Sequence, residues 1–183
     1  MNEMSIEYPQ PQLLMENALL VDTVFFNFED DFVERNIRCI PMIVRFKMDK
    51  AGIKLKLAEW SRFSTGERIE LAMKPCGDER EATVYHEYLA WLVKRYTDTE
   101  ATVLPVDQWP GWTKGSSLPV ELEEKLNEFN WFISSVQWNE LADLQRFALL
   151  KLCRAGHESK NFPKAMKEFG LLPAKQNFRQ LAD

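Results

Sequence analysis

The fold depends on a short stretch at residues 41–52, which reads PMIVRFKMDKAG. Proline is favoured in the first turn of a helix, where its missing N–H group has no intrahelical partner. Glycine readily adopts the left-handed conformation that ends a helix. The apolar residues in and beside this stretch follow helical spacing along one stripe: Ile40, Ile43, Val44 and Met48. The stretch therefore predicts an amphipathic helix that begins near Pro41 and ends at Gly52.

Other segments extend the same pattern along the chain. A capping box at residues 64–67 predicts a helix through Met73. The clearest helical periodicity runs over residues 79–96 and gives a wide apolar stripe. Residues 53–57 alternate between apolar residues and lysine, which is typical of a short extended link. We therefore predict an all-α fold, mainly helical with short extended links.

The second half of the chain repeats the first. Trp138 follows Trp60 by 78 residues, and Arg146 follows Arg68 by the same interval. We predict two similar helix–link–helix units at about residues 40–75 and 118–153, with both tryptophans in the core. A unit this short buries too little apolar surface to be stable alone, so the two should pack together. The predicted single domain spans residues 24–172, after an N-terminal arm at 1–23 and before a C-terminal tail at 173–183.

Composition excludes several classes of function. The 183 residues carry a net charge of −5, so no global basic field attracts nucleic acid or an anionic membrane. No apolar run approaches the ~18 residues of a membrane-spanning helix. The acidic N-terminus does not resemble a signal peptide, and three widely spaced cysteines suit a reducing compartment. We expect a cytoplasmic protein without nucleic-acid or membrane partners.

Catalytic and metal-binding patterns are weak in this sequence. The available ligands form no Cys-x-x-Cys or His-x-x-x-His pair, which metal sites usually contain: Cys39, Cys76, Cys153, His86 and His157. Cys39 lies just before a helix start, where its pKa could be lowered, but no cysteine-hydrolase signature surrounds it. We predict structural thiols, no bound metal or cofactor, no catalytic residues and no enzymatic activity.

The basic residues are concentrated in two groups. Residues 34–56 contain seven basic side chains against two acidic ones, and a second group lies near the C-terminus. Either a solvated helix face or a docking surface for an acidic protein explains such a cluster. The predicted partner-binding residues are Arg38, Arg45, Lys47, Lys50, Lys54, Arg154, His157 and Lys160.

Two further arginines, Arg68 and Arg146, each lie one turn into a predicted helix. A positive charge there opposes the helix dipole. We therefore expect each to pair with a carboxylate, either within the fold or on another protein, and we favour a salt bridge within the fold.

Four segments of the chain resemble the nitrate reductase-associated protein family. They are residues 26–32 (FNFEDDF), 38–49 (RCIPMIVRFKMD), 144–149 (LQRFAL) and 157–165 (HESKNFPKA). The resemblance covers roughly residues 25–171.

This resemblance implies a non-enzymatic accessory protein that binds and supports a cytoplasmic assimilatory nitrate reductase. Such a protein would act as an assembly or cofactor-insertion chaperone, or as an accessory subunit. The alternative is a carrier of a metal, an iron–sulfur cluster or the molybdenum cofactor that uses Cys39, Cys76 and His157. Metal analysis of the purified protein distinguishes the two.

Overall fold

The structure is a computed structural model that describes residues 25–29, 39–154 and 156–172. The predicted arm at residues 1–23 and the tail at 173–183 lie outside these ranges. Within them the chain forms eight α-helices, one 3₁₀-helix and one two-stranded sheet. The prediction of a mainly helical fold is confirmed.

The elements follow one another in two helical halves joined by a loop. The first half contains α1 (Met42–Ala51), β1 (Ile53–Lys54), α2 (Leu57–Trp60), α3 (Thr65–Met73) and α4 (Glu79–Thr97). The loop carries β2 (Thr102–Val103), which pairs with β1 in antiparallel register, Ile53 opposite Val103. The second half contains α5 (Val120–Glu128), α6 (Ser135–Glu140), α7 (Asp143–Cys153), a 3₁₀-helix (His157–Asn161) and α8 (Phe162–Glu168).

The end of α1 requires glycine. Gly52 has φ 64° and ψ 37°, and its N–H donates to the carbonyl of Met48. A Cβ atom at this position would lie 2.7 Å from the carbonyl oxygen of Leu104. That close approach allows the Leu104 N–H to donate to the Gly52 carbonyl at 2.8 Å. Gly52 therefore ends α1 and places β2 beside it.

Helix α1 lies between two hydrophobic clusters. Ile43 and Val44 belong to the cluster built with α3 and α4, whereas Met42 belongs to the cluster built with α5, α7 and α8. Phe46 and Leu144 pack against both clusters. The helix is therefore apolar over more of its surface than an ordinary surface helix, and it joins the two halves.

The helices of the two halves recur at a constant interval. Helices α1, α2 and α3 begin at residues 42, 57 and 65, and α5, α6 and α7 begin at 120, 135 and 143, each 78 residues later. Trp60 and Trp138 are both completely buried, as predicted. We propose that the two units arose by internal duplication; the domain boundaries at residues 24 and 172 stay predictions.

The segment at residues 25–29 connects the two ends of the fold. The Glu168 carboxylate at the end of α8 accepts hydrogen bonds from the backbone N–H groups of Asn27 and Phe28, at 2.9 and 3.2 Å. The Glu29 carboxylate accepts from the Met42 N–H at 2.6 Å, which satisfies one unpaired donor at the start of α1.

Aromatic rings reinforce this connection. Phe26 stacks on Phe28 with centroids 5.1 Å apart, and Phe169 meets Phe26 edge-on at 4.9 Å. Residues 26–29, the described part of the family-like segment at 26–32, therefore have a structural role, because they attach the start of α1 to the end of α8.

We expect Glu168→Ala to lower the free energy of unfolding by about 1–2 kcal/mol, because it removes charge-assisted hydrogen bonds at a solvent-exposed site. Hydrogen exchange at the Asn27 and Phe28 amides should accelerate at the same time. Lys167→Ala on the same helix is the matched control and should change neither measurement. Unchanged exchange at Asn27 and Phe28 in Glu168→Ala would contradict the assigned role.

Candidate functional site

An open groove of about 680 Å³ lies where α1, β1 and the end of α7 meet. We call it the basic groove. Its lining residues are Cys39, Ile40, Arg45, Met48, Asp49, Ile53, Lys54, Leu55, Leu57, Leu104, Lys151, Arg154, Gly156 and Ser159.

Positive charge dominates the basic groove. Four basic side chains line it against one acidic side chain, Asp49. The carboxylate of Asp49 pairs with the Lys151 ammonium at 2.8 Å, which links α1 to α7. Lys54 and Arg154 are solvent-exposed. The groove therefore combines charges from segments about 100 residues apart in the chain.

Helical geometry selects which residues of α1 reach the groove. Arg45, Met48 and Asp49 are spaced three and four residues apart, so they share one face of the helix. The Arg45 guanidinium is held in place because its Nε donates to the Ile40 carbonyl at 2.7 Å.

The groove also has an apolar component. Ile40, Met48 and Ile53 are buried beneath it, whereas Leu57 and Leu104 are 43% and 41% exposed. An apolar floor beside basic side chains can bind a segment that carries both acidic and apolar residues.

Lys47 lies on another side of α1, away from the groove lining. Its Nζ donates to the carbonyls of Ala72 and Lys74 at 2.5 and 2.7 Å, at the end of α3. Burial lowers the pKa of Lys47 to about 8, whereas the carbonyl ends of α3 favour its ammonium form. This side chain therefore stabilises the fold. Lys47 is one of the predicted partner-binding residues, but it does not line the groove.

Only some of the other predicted docking residues line the groove. Lys50 donates to the Gly77 carbonyl at 3.1 Å and lies over the Phe46 ring, so it too is used within the fold. Lys160 is exposed but does not line the groove. Arg38 and the side chain of His157 lie outside the described part of the structure.

Sequence analysis missed Lys151 and Leu104 as members of the groove. Lys151 is an isolated charge in the last turns of an apolar helix, and the packing of α7 against α1 brings it within reach of Asp49. One signal was available, because Lys151 lies in the last turn of α7 and Arg154 follows that helix directly, so the two are close in sequence.

The arginine pair gives one correct prediction and one wrong one. Arg146 forms the expected ion pair, with Asp143. For Arg68 the salt bridge is wrong: its Nη2 lies 3.3 Å from the Thr65 hydroxyl, and no carboxylate in residues 25–29, 39–154 or 156–172 forms an ion pair with it.

The long loop before α5 is attached at one of its two tryptophans. Trp112 packs edge-on against Phe46 with ring centroids 5.0 Å apart. Trp109 is 87% exposed, so it is not packed against the body of the fold.

Comparison with models of protein families identifies the chain. The model described as conserved nitrate reductase-associated protein matches residues 25–169. The chain belongs to this family. Comparisons with curated proteins and with solved structures give no match.

The match to the nitrate reductase-associated protein family includes every residue that lines the basic groove. The family's description associates its members with nitrate reductase and does not describe them as the reductase itself. In the described ranges, no helix has both the length and the apolar character that crossing a bilayer requires.

The three cysteines occupy separate positions and form no disulfide. Cys39 lines the basic groove, whereas Cys76 is buried with its Sγ 3.6 Å from the Lys47 carbonyl. Burial raises the pKa of Cys76, and it raises that of Cys153 to about 12. Among the residues that the structure describes, no three His, Cys, Asp or Glu side chains are grouped to hold a metal ion.

We expect Lys47→Glu to lower the free energy of unfolding by about 2 kcal/mol or more, because it places a carboxylate against two helix-end carbonyls. The matched control Lys54→Glu, at an exposed position on the groove, should change stability by no more than about 0.5 kcal/mol. Denaturant titration of both variants checks this. Equal midpoints for the two would show that Lys47 is an ordinary surface lysine.

The thiol pKa values predict slow alkylation. At pH 8, iodoacetamide should modify Cys76 and Cys153 at least about tenfold more slowly than the thiol of a short peptide, because the thiolate is the reactive form. Mass spectrometry of digested samples gives the rate at each position. Denaturation should remove the difference, and peptide-like rates in the folded protein would contradict the burial of these thiols.

Proposed function

We propose that this protein is a non-enzymatic accessory protein that binds nitrate reductase through the basic groove. It would support a cytoplasmic assimilatory enzyme as an assembly or cofactor-insertion chaperone, or as an accessory subunit. Two observations support the proposal: the family association with nitrate reductase and the concentration of basic side chains in one groove of an acidic chain.

Electrostatics favours an acidic segment of the partner as the occupant. The chain has a net charge of −5, so most of its surface repels an acidic protein. Lys54 and Arg154 provide exposed positive charge at the groove. Complementary charges of this kind raise the association rate and orient the encounter more than they raise affinity.

The apolar side chains supply the second part of the recognition. Leu57 and Leu104 are half-exposed at the groove and would be covered by the partner. Covering such side chains contributes about 25 cal/mol for each Å² of apolar surface removed from water. The preferred partner segment therefore carries apolar residues among its acidic ones.

The structure also indicates which charges to reverse. Arg45 and Lys47 make hydrogen bonds within the fold, so their reversal would disturb α1 and α3. Lys54 and Arg154 are exposed at the groove and are the better choice. Lys164 and Lys167 are exposed on α8, do not line the groove and provide a control with the same change in charge.

We expect the double variant Lys54→Glu/Arg154→Glu to slow association with nitrate reductase by about tenfold or more at low salt. The control Lys164→Glu/Lys167→Glu should leave the rate close to that of the wild type. Raising salt from about 0.1 M to about 1 M shortens the Debye length from about 10 Å to about 3 Å, so it should slow the wild type and bring the rates together.

Association kinetics on immobilised nitrate reductase provide the measurement. Wild-type binding that is insensitive to salt and unchanged in the groove variant would exclude the groove as the docking site. Absence of any binding by the wild type would exclude the proposed function as a whole.

A further inference from the structure

The chain at residues 130–132 repeats the conformation of the segment that carries β1. Asn130 has a left-handed φ of 53°, and Gly52, which lies 78 residues earlier, has a left-handed φ of 64°. The residues that precede α2 and α6, Lys56 and Ser134, are both extended, with ψ of 150° and 160°. In both units the chain therefore leaves a helix through a left-handed residue and enters the next helix from an extended link.

In the first unit, β2 covers this extended link. The Gly52 carbonyl accepts from the Leu104 N–H at 2.8 Å, and Lys54 lies opposite Thr102. Hydrogen-bonded pairs alternate along an antiparallel ladder, so Gly52 and Lys54 direct backbone groups toward β2. The covering strand thus satisfies the Gly52 carbonyl and both backbone groups of Lys54.

The corresponding link in the second unit has no such strand in the part of the chain that the structure describes. There, no hydrogen bond reaches the Asn130 carbonyl or the N–H and carbonyl of Phe132. These three groups match the three that β2 satisfies in the first unit. Unpaired groups of this kind can accept another strand through backbone hydrogen bonds. We call residues 130–132 the open edge.

Exposed apolar side chains accompany the open edge. Phe132 is 82% exposed, Val136 in the first turn of α6 is 63% exposed, and Phe129 is also exposed. At the positions of Phe132 and Val136 the first unit has Lys54 and Ala58. The exposed apolar residues thus belong to the unit whose edge is open, which indicates that one further segment covers both.

The open edge is too small for a separate protein. A stable protein–protein interface uses about 20–30 residues on each side, whereas three backbone groups and a few side chains are available here. A segment tethered to the same chain needs less contact area, because its effective concentration is high. Charge also disfavours a second copy: α5 carries four exposed glutamates and one lysine, so two such surfaces would repel each other.

The open edge and the start of the C-terminal tail at residues 173–183 meet the same hydrophobic cluster. Phe162, at the start of α8, stacks with the rings of Phe129 and Trp131 at centroid distances of 6.0 and 6.4 Å. Leu172 packs against the cluster that Trp131 also contacts. Eight further residues span up to about 26–29 Å when extended, so the tail is long enough to reach the open edge.

The repeat also indicates which part of the tail to consider. In the first unit the covering strand follows α4, the helix after α3, and the tail follows α8, the helix at the corresponding place after α7. By the interval of 78 residues, Gln180 and Leu181 correspond to Thr102 and Val103 of β2. The tail reads PAKQNFRQLAD, with two basic side chains against one acidic one, so its charge is opposite to that of α5.

We propose that the open edge is a strand-addition site that binds residues 178–182 of the C-terminal tail as an antiparallel strand. In this pairing the N–H and carbonyl of Phe132 bond to the backbone of Gln180, and the Asn130 carbonyl accepts from the Ala182 N–H. Phe178 is then the diagonal neighbour of Phe132, close enough for the two rings to touch.

Hydrogen exchange at the Phe132 amide tests the proposal. In the full chain this amide should be protected, like the Lys54 amide that β2 covers. Deletion of residues 173–183 should accelerate exchange at Phe132 by about tenfold or more, because the hydrogen bond to the tail is lost. Exchange at Lys54 should stay unchanged, which shows that the shortened chain is folded.

Two full-length variants separate the contacts of the strand from the presence of the tail. Phe178→Ser/Leu181→Ser should accelerate exchange at Phe132 as the deletion does, because the apolar contacts that hold the strand are removed. The matched control Lys175→Ser/Gln176→Ser alters the tail before the proposed strand and should leave Phe132 protected.

Three results would overturn the proposal. The first is an unprotected Phe132 amide in the full chain. The second is protection that survives deletion of residues 173–183; its dependence on protein concentration would then assign the open edge to a second copy, and its loss on deletion of residues 1–23 would assign it to the N-terminal arm. The third is equal exchange at Phe132 in the two serine double variants.

Discussion

The structure depends on the burial of α1 on two sides. Its residues contribute to both hydrophobic clusters, with Ile43 and Val44 in one and Met42 in the other. Because α1 contributes to both clusters and Phe46 packs against each of them, this helix joins the two halves. The ends of α1 are fixed by Glu29, which accepts from the Met42 N–H, and by the left-handed Gly52 against Leu104.

The basic residues near α1 show how helical geometry divides a charge cluster. Lys47 and Lys50 donate to carbonyls at residues 72–77, whereas Arg45 reaches the groove on a different face. Adjacent positions in the sequence thus serve different purposes, because successive residues of a helix point about 100° apart. The groove also contains Lys151 from α7 and Arg154 just after it, and only the packing of α7 against α1 brings these residues beside Arg45.

The two arginines illustrate what repetition can and cannot predict. The interval of 78 residues anticipated the matching helix starts and the burial of Trp60 and Trp138, because apolar spacing and capping residues act locally. It did not anticipate that Arg146 would be fully paired and Arg68 would not. That difference depends on the Trp112 carbonyl, which comes from a loop 34 residues before Arg146.

The sequence by itself determined the helical class, the boundaries of α1, α3 and α4, and the family. Helical periodicity, capping boxes and terminating glycines are properties of short local segments. For this reason α3 begins after Ser64 and α4 begins at Glu79, as predicted. Tertiary structure alone decided which charges remain available for binding, because an ammonium that reaches a helix-end carbonyl is satisfied there. It also decided that Trp112 packs inward while Trp109 stays exposed, since contacts between distant segments are not encoded in any single local pattern.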